Sequence, residues 1–221
     1  MIHARRAAIA WSLLLTLSWL AAPAAAGWWS EEMDDCPPRP PMTTWYGEIR
    51  DAVARNHPDR PLDPMIIVSI GEQRLYHIKH GVPFQDYAVS TSRHGIGNRD
   101  GSLQTPLGVH QLRRKIGADA PLGTVFKGRS NTGRIANILT NPETSPDDNI
   151  TSRILWLDGL EEGVNRGGEV DSFQRFIYIH GTDEEGLIGQ PASDGCVRMT
   201  NVSVIELFEQ LPLGTLVVIV E

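Results

Sequence analysis

The 221-residue sequence predicts a mainly β domain with one or two packing helices. Seven short runs rich in apolar, β-branched and aromatic residues recur between residues 65 and 220, each bounded by Gly, Pro, Asn or Asp. Only two stretches carry apolar residues at helical spacing. The chain is long enough for one full core, so the runs point to a single sheet system.

The N-terminus reads as a leader. Arg5 and Arg6 precede an apolar run from Ala7 to Leu20 and then Ala21-Ala22-Pro23-Ala24-Ala25-Ala26. A basic region, a short apolar region and an Ala-x-Ala site predict a secretory signal peptide over residues 1–26. The run is short for a membrane span and lacks a stop-transfer flank, so no stable membrane insertion is expected after cleavage. The mature chain is expected to be periplasmic or otherwise exported. Loss of Arg5 and Arg6 takes the 20 basic residues to 18 against 27 acidic, a net charge of −9. That balance argues against nucleic acid or anionic lipid as a partner.

Residues 27–62 form an N-terminal linker and helical segment. Trp28, Trp29, an acidic run and several prolines are followed from Thr43 by a helix, capped by Thr43 or Thr44 and ended by His57-Pro58. Trp45, Ile49, Ala52 and Val53 share its apolar face. The domain proper is expected over residues 63–221. Met65–Ile70 and Arg74–Ile78 read as a hairpin through Gly71-Glu72-Gln73, and Val82–Ser90 as a third strand. His77 and His80 read as surface residues; no metal or other cofactor is expected. A polar, glycine-rich loop leads to Thr105-Pro106-Leu107-Gly108 and a strand from Val109 to Leu112. Residues 117–150 show little periodicity and read as a long functional loop, such as a lid. Ser152–Leu157 restores a strand. Thr200 or Asn201 caps a helix whose Val204, Leu207, Phe208 and Leu211 make one face, and Leu216–Val220 is a final buried strand.

The chemistry concentrates between Phe176 and Met199. Phe-Ile-Tyr-Ile is a buried strand that delivers His180 to its end, where Gly181-Thr182 breaks the pattern. A polar insert follows, then Ser193-Asp194-Gly195-Cys196-Val197-Arg198-Met199. A histidine at a strand end and a cysteine on a glycine turn is the pairing a thiol nucleophile needs. Two cysteines in an exported chain also allow a Cys36–Cys196 disulfide. Cys36 sits among prolines and Cys196 on a polar turn, surroundings that favour the nucleophile.

With Ile177-Tyr-Ile-His-Gly-Thr followed by Ser193-x-Gly-Cys-Val-Arg-Met, the chain resembles the YkuD-type L,D-transpeptidases of bacterial cell walls. Tyr87-Ala-Val-Ser-Thr91, Thr105-Pro-x-Gly108 and Gly214-Thr-x-Val-x-Ile219 occur in the family's order, so the likeness spans roughly residues 64–221. It implies a mixed-sheet, β-sandwich-like catalytic fold and, as substrate, peptidoglycan stem peptides. Cys196 would attack the tetrapeptide between meso-diaminopimelate and D-alanine, and an amine of a neighbouring stem would resolve the thioester into a 3-3 crosslink. His180 would serve as base and then acid, and the N–H groups of Gly195 and Cys196 as oxyanion donors. Ser193 either orients His180 or the donor, or closes its own turn. Arg198 either grips a substrate carboxylate or pins the turn to an acidic neighbour. Tyr178 shares the His180 face and lines the cleft or the core; Gly181, Thr182 and Asp194 complete the substrate-side set. Asp194 stands where many family members carry a second histidine, and it either faces the sulfur, disfavouring the thiolate, or turns outward. Water as acceptor would make a carboxypeptidase and a lipoprotein lysine a protein anchor. A papain-like hydrolase has its cysteine before its histidine, the reverse of the order here. A non-enzymatic exported wall-binding module is the reading from another class.

Overall fold

The computed structural model describes residues 43–221; the expected leader, the Trp28–Trp29 segment and Cys36 lie outside the described residues. Two α-helices and ten strands run in the order α1 (Thr43–Asn56), β1 (Met65–Ser69), β2 (Arg74–Lys79), β3 (Val82–Ala88), β4 (Gly108–Ile116), β5 (Thr124–Lys127), β6 (Ser130–Ile135), β7 (Ile150–Gly159), β8 (Tyr178–Thr182), β9 (Val197–Met199), α2 (Asn201–Gln210) and β10 (Leu216–Val220). Seven strands coincide with the expected runs. The other three are additions. β5 and β6 form a hairpin inside the stretch expected as irregular loop, and β9 directly follows the cysteine. β6 is exposed along its whole length, so it carries no alternation to read. Three-residue β9 is too short to carry any.

All ten strands join one sheet. Its spine runs β3-β2-β1-β10-β4-β7; β5 and β6 continue from the N-terminal part of β7, while β8 pairs β7 and β9 pairs β8. The pairs β1/β10 and β8/β9 are parallel and the rest antiparallel, a mixed sheet. Alternation along β1 sends Ile66 and Val68 to one core and Met65 and Ile67 to another. The first core also gathers Leu75 of β2, Leu155 and Leu157 of β7, Ile179 of β8, Val197 and Met199 of β9, and Leu207 and Phe208 of α2. Both ends of the sheet therefore converge on one apolar interior, giving the sandwich-like form. The closure is a reciprocal pair: Ser90 N–H donates to Arg198 C=O at 2.9 Å, and Arg198 N–H to Ser90 C=O at 2.8 Å. The second core lies under α1, which contributes Tyr46 and Val53, with Trp45 and Ile49 packed against it. Each buried aliphatic side chain contributes about 1.5–3 kcal/mol relative to exposure.

One surface assignment is corrected. His80 is exposed, but His77 is buried at 1 % and meets Phe84 edge-on. β2 lies between two strands and is covered on both faces, so its pattern is nearly continuous burial rather than alternation.

Candidate active site

The parallel pairing of β8 with β9 builds the site. Ile179 pairs with Val197 and His180 with Arg198, and partners in register point to the same face. Ile179, Val197 and Met199 thus enter the first core. The alternate residues Tyr178, His180, Cys196 and Arg198 share the other face, where Cys196 packs against the cluster made by Phe126, Ile154, Trp156 and Tyr178.

Cys196 carries a free thiol and is partly exposed. Its Sγ accepts the Tyr178 N–H and donates toward the Phe176 C=O, both at 3.4 Å. Phe176 has φ +58°, a left-handed conformation that costs a bulky side chain about 1–3 kcal/mol and is a form of strain found at functional sites. Burial pushes the Cys196 thiol up to about 11, with the Tyr178 N–H pulling it back; Asp148 adds to the rise, while Arg198 and Arg175 oppose it.

His180 is buried at 3 %, and its Nδ1 lies 2.8 Å from the Gly181 C=O. A carbonyl only accepts, so Nδ1 carries the proton and Nε2 keeps its lone pair. Burial lowers His180 to about 4. Both groups are therefore neutral near pH 7, and among the described residues no hydrogen bond joins His180 to Cys196. Gly181 is required where it stands: a Cβ would lie 2.7 Å from Thr151 O and 2.9 Å from Asn201 Oδ1.

The turn before the cysteine is tied internally. Ser193 Oγ donates to Cys196 C=O at 2.6 Å and accepts the Gly195 N–H at 3.3 Å. Of its two expected roles, this geometry is the turn closure. It also occupies the Gly195 N–H, whereas the Cys196 N–H makes no hydrogen bond among the described residues. Gly195 has φ +122°, which favours glycine, and its C=O accepts from Thr105 Oγ1 at 3.0 Å. The Thr-Pro-x-Gly segment thus anchors the cysteine turn from a strand far away in the chain.

Arg198 is 1 % exposed and committed to acidic neighbours. Its Nη1 donates to Glu184 Oε2 at 2.6 Å. Its Nη2 lies 2.8 Å from Asp148 Oδ2 but off the N–H direction, a charge pair rather than a hydrogen bond. Glu184 is itself buried and also accepts the Ser145 N–H at 2.5 Å. The polar insert after β8 therefore holds the 145–149 segment, and that segment brings Asp148 to the site. Thr182 is likewise internal: its Oγ1 accepts the Glu184 N–H and its C=O accepts from Asn201 Nδ2. Asp194 turns away from the thiol. Its Oδ1 is 2.8 Å from Arg93 Nη2 and 3.0 Å from His94 Nε2.

Four contributors were missed from sequence. Asp148 and Arg129 sit in the stretch that shows no periodicity. Arg175 donates from Nη2 to Gln104 C=O at 2.8 Å, just before the residue whose carbonyl meets Sγ. Asn201, the first residue of α2, takes Thr151 Oγ1 and Ser152 Oγ at 2.6 and 2.5 Å and stitches the kinked start of β7 to β8. An asparagine at a helix start offered a signal, but it reads first as a cap. A cleft of about 500 Å³, bordered by Phe126, Gly128, Asp148 and Ile150, opens beside this face.

This arrangement can present a thiol, an imidazole with a free Nε2 and an unspent backbone N–H to an incoming carbonyl. The chain is similar to known proteins. "Putative L,D-transpeptidase YqjB" of Bacillus subtilis (strain 168) is 45% identical over 77 residues, 35% of this chain; the match spans only 38% of that relative. Among solved structures, L,D-transpeptidase 3 from Mycobacterium tuberculosis with a faropenem-derived adduct aligns at TM-score 0.45 and 14% identity, over 72% of this chain and 60% of that one. The catalytic domain of the E. faecium L,D-transpeptidase aligns at TM-score 0.39 and 18% identity, over 72% and 97%. The YkuD family model, the L,D-transpeptidase catalytic domain, matches residues 63–219, and the chain belongs to that family.

Proposed function

We propose that the chain is a cysteine-dependent L,D-transpeptidase that acylates Cys196 with peptidoglycan stem tetrapeptides and forms 3-3 crosslinks. The observation that carries the reading is the shared face of β8 and β9, with Cys196 Sγ between Tyr178 N–H and Phe176 C=O and His180 on the same face opposite Arg198. The resting pair is neutral: with a thiol at about 11, roughly one molecule in 10⁴ is thiolate at pH 7. Attack therefore proceeds with proton transfer from Sγ to His180 Nε2 as the C–S bond forms. The Cys196 N–H stabilises the oxyanion. Collapse expels D-alanine, whose amine takes the proton back from Nε2. An amine of a second stem then attacks the thioester and gives its proton to His180, and as the C–S bond breaks the departing sulfur takes that proton, restoring the thiol and the neutral imidazole. With the leader read over residues 1–26, the enzyme works in the periplasm or otherwise outside the membrane, at the wall. No helix among the described residues is long and apolar enough to cross a membrane.

Mass spectrometry of the mature protein with tetrapeptide muropeptides tests the reading. We expect an acyl adduct on Cys196, crosslinked product, and neither with Cys196→Ala. Turnover by Cys196→Ala would end the proposal. Cleaved donor without crosslink would put water in the acceptor's place.

A further inference from the structure

The β5–β6 hairpin turns through two residues, Gly128 with φ +55° and Arg129 with φ +68°, between the paired Lys127 and Ser130. Two left-handed residues make the tight turn that suits a twisted hairpin, and glycine is the default at the second position. An L side chain in that conformation costs about 1–2 kcal/mol. Arginine stands there nonetheless.

Its side chain has a definite place. The guanidinium lies 4.6 Å from the Phe176 ring centroid and 5.1 Å from that of Trp156. Its Nη1 is 3.4 Å from Tyr178 Oη, a long contact, and the backbone N–H of the same Tyr178 meets Cys196 Sγ. Among the described residues no carboxylate pairs with Arg129. Two neighbouring arginines are spent, Arg198 on Glu184 and Asp148 and Arg175 on the carbonyls of Gln104 and Gly97, while Arg114 lies farther off, its guanidinium 5.5 Å from the Trp156 centroid. Arg129 also borders a cavity of about 320 Å³ with Phe126, Ala120, Asn131 and Asp119, a carboxylate that makes no ion pair with Arg129, so there is room beside the guanidinium for a ligand group. A guanidinium offers five donors in a planar fork matched to a carboxylate, and only one of these is engaged here.

We infer that Arg129 is a specificity residue that receives a free carboxylate of the acyl donor while the donor's carbonyl lies at Cys196. This rests on the proposed acylation of Cys196. It transfers to Arg129 the carboxylate-gripping role that sequence allowed for Arg198. The two donor carboxylates nearest the scissile bond are the terminal carboxylate of D-alanine and the side-chain carboxylate of diaminopimelate.

The test is equilibrium binding, by titration calorimetry, of tetrapeptide to the mature Cys196→Ala protein, which holds the donor without turnover. Free acid, terminal amide and diaminopimelate amide are compared with and without Arg129→Gln. Arg129→Gln should weaken the free acid about 10-fold, and one of the two amides should bind equally to both proteins, identifying the group received. Arg129→Gly should lose the same affinity with a Tm no lower than that of Arg129→Gln, because it relieves the turn. Equal free-acid affinity in both proteins, absence of measurable binding, or a loss that persists undiminished with both amides would overturn the inference. A fall in Tm with Arg129→Gly that tracks the affinity loss would also overturn it, as the mark of a structural role. Adduct formation by the unsubstituted protein is measured separately. Its absence alongside an intact binding difference ends the acylation reading and leaves the carboxylate site standing.

Discussion

Replacing Arg198 by glutamine tests whether this residue holds the architecture or the substrate. In the structure Arg198 and Glu184 are both nearly sealed from solvent, and Nη1 and Oε2 are 2.6 Å apart. Removal of the cation leaves Glu184 buried without its counter-charge, and breaking such a pair costs about 3–5 kcal/mol. In a domain of this size each kcal/mol shifts the melting temperature by about 2–4 °C, so the expected drop is about 6–20 °C. Glu184→Gln should cost less, about 1–3 kcal/mol, because Asp148 still faces Arg198 and the amide still accepts a hydrogen bond. The double variant should lose less than the sum of the two single losses, by more than the about 0.5 kcal/mol seen between independent sites. Urea unfolding at constant m-value measures all three. An Arg198→Gln protein as stable as the parent but unable to bind donor would refute the reasoning and return Arg198 to the substrate.

Three other outcomes are expected. His180→Ala should slow acylation by about 10²-fold or more at neutral pH, because His180 carries the imidazole on the β8–β9 face that the thiol shares; an unchanged pH–rate profile would remove its role. Asp194→Asn should leave the pH midpoint of thiol alkylation where it is, since the carboxylate is taken up by Arg93 and His94. A clear fall in that midpoint would mean that Asp194 reaches the sulfur. Finally, burial holds His110 and His180 each down to about 4 in the folded protein. The unfolded chain binds their protons from about pH 6.5 downward, so stability is full above that pH and falls as pH drops toward 4, by up to about 3 kcal/mol per histidine. A thermal midpoint that stays flat from pH 7 to 4.5 would contradict this, and His110→Gln should remove one share of the slope.

Much of the fold was legible because its strands bury whole faces. The runs at Met65, Arg74, Val109, Ser152, Tyr178 and Leu216 are apolar enough to announce themselves, the largely exposed Val82 run is marked by its turn instead, and Thr200 caps α2 as its sequence suggests, its side chain accepting the Ser203 N–H. The hairpin of β5 and β6 was not legible, because β6 takes its place through backbone pairing while all its side chains face solvent. His77 was misplaced because burial on both faces of a strand depends on neighbours that the sequence does not name.

The site divides in the same way. Cys196 and His180 were singled out by residue type and local setting, a thiol on a glycine turn and an imidazole at a strand end. Their shared face follows from a parallel register between β8 and β9, set by long-range pairing. The partners of the ambiguous residues were also beyond the sequence. Arg198 and Asp194 are charges whose meaning depends on what lies within about 4 Å, and that is decided by segments distant in the chain. Glu184 and Asp148 claim the first, Arg93 and His94 the second, and Arg129 arrives beside Tyr178 from a hairpin that no periodicity marks. Sequence alone determined which residue types stand in the motif, a thiol and an imidazole among them; tertiary structure decided which charges remain free to meet a ligand, because charge pairing is a property of distance and burial rather than of order along the chain.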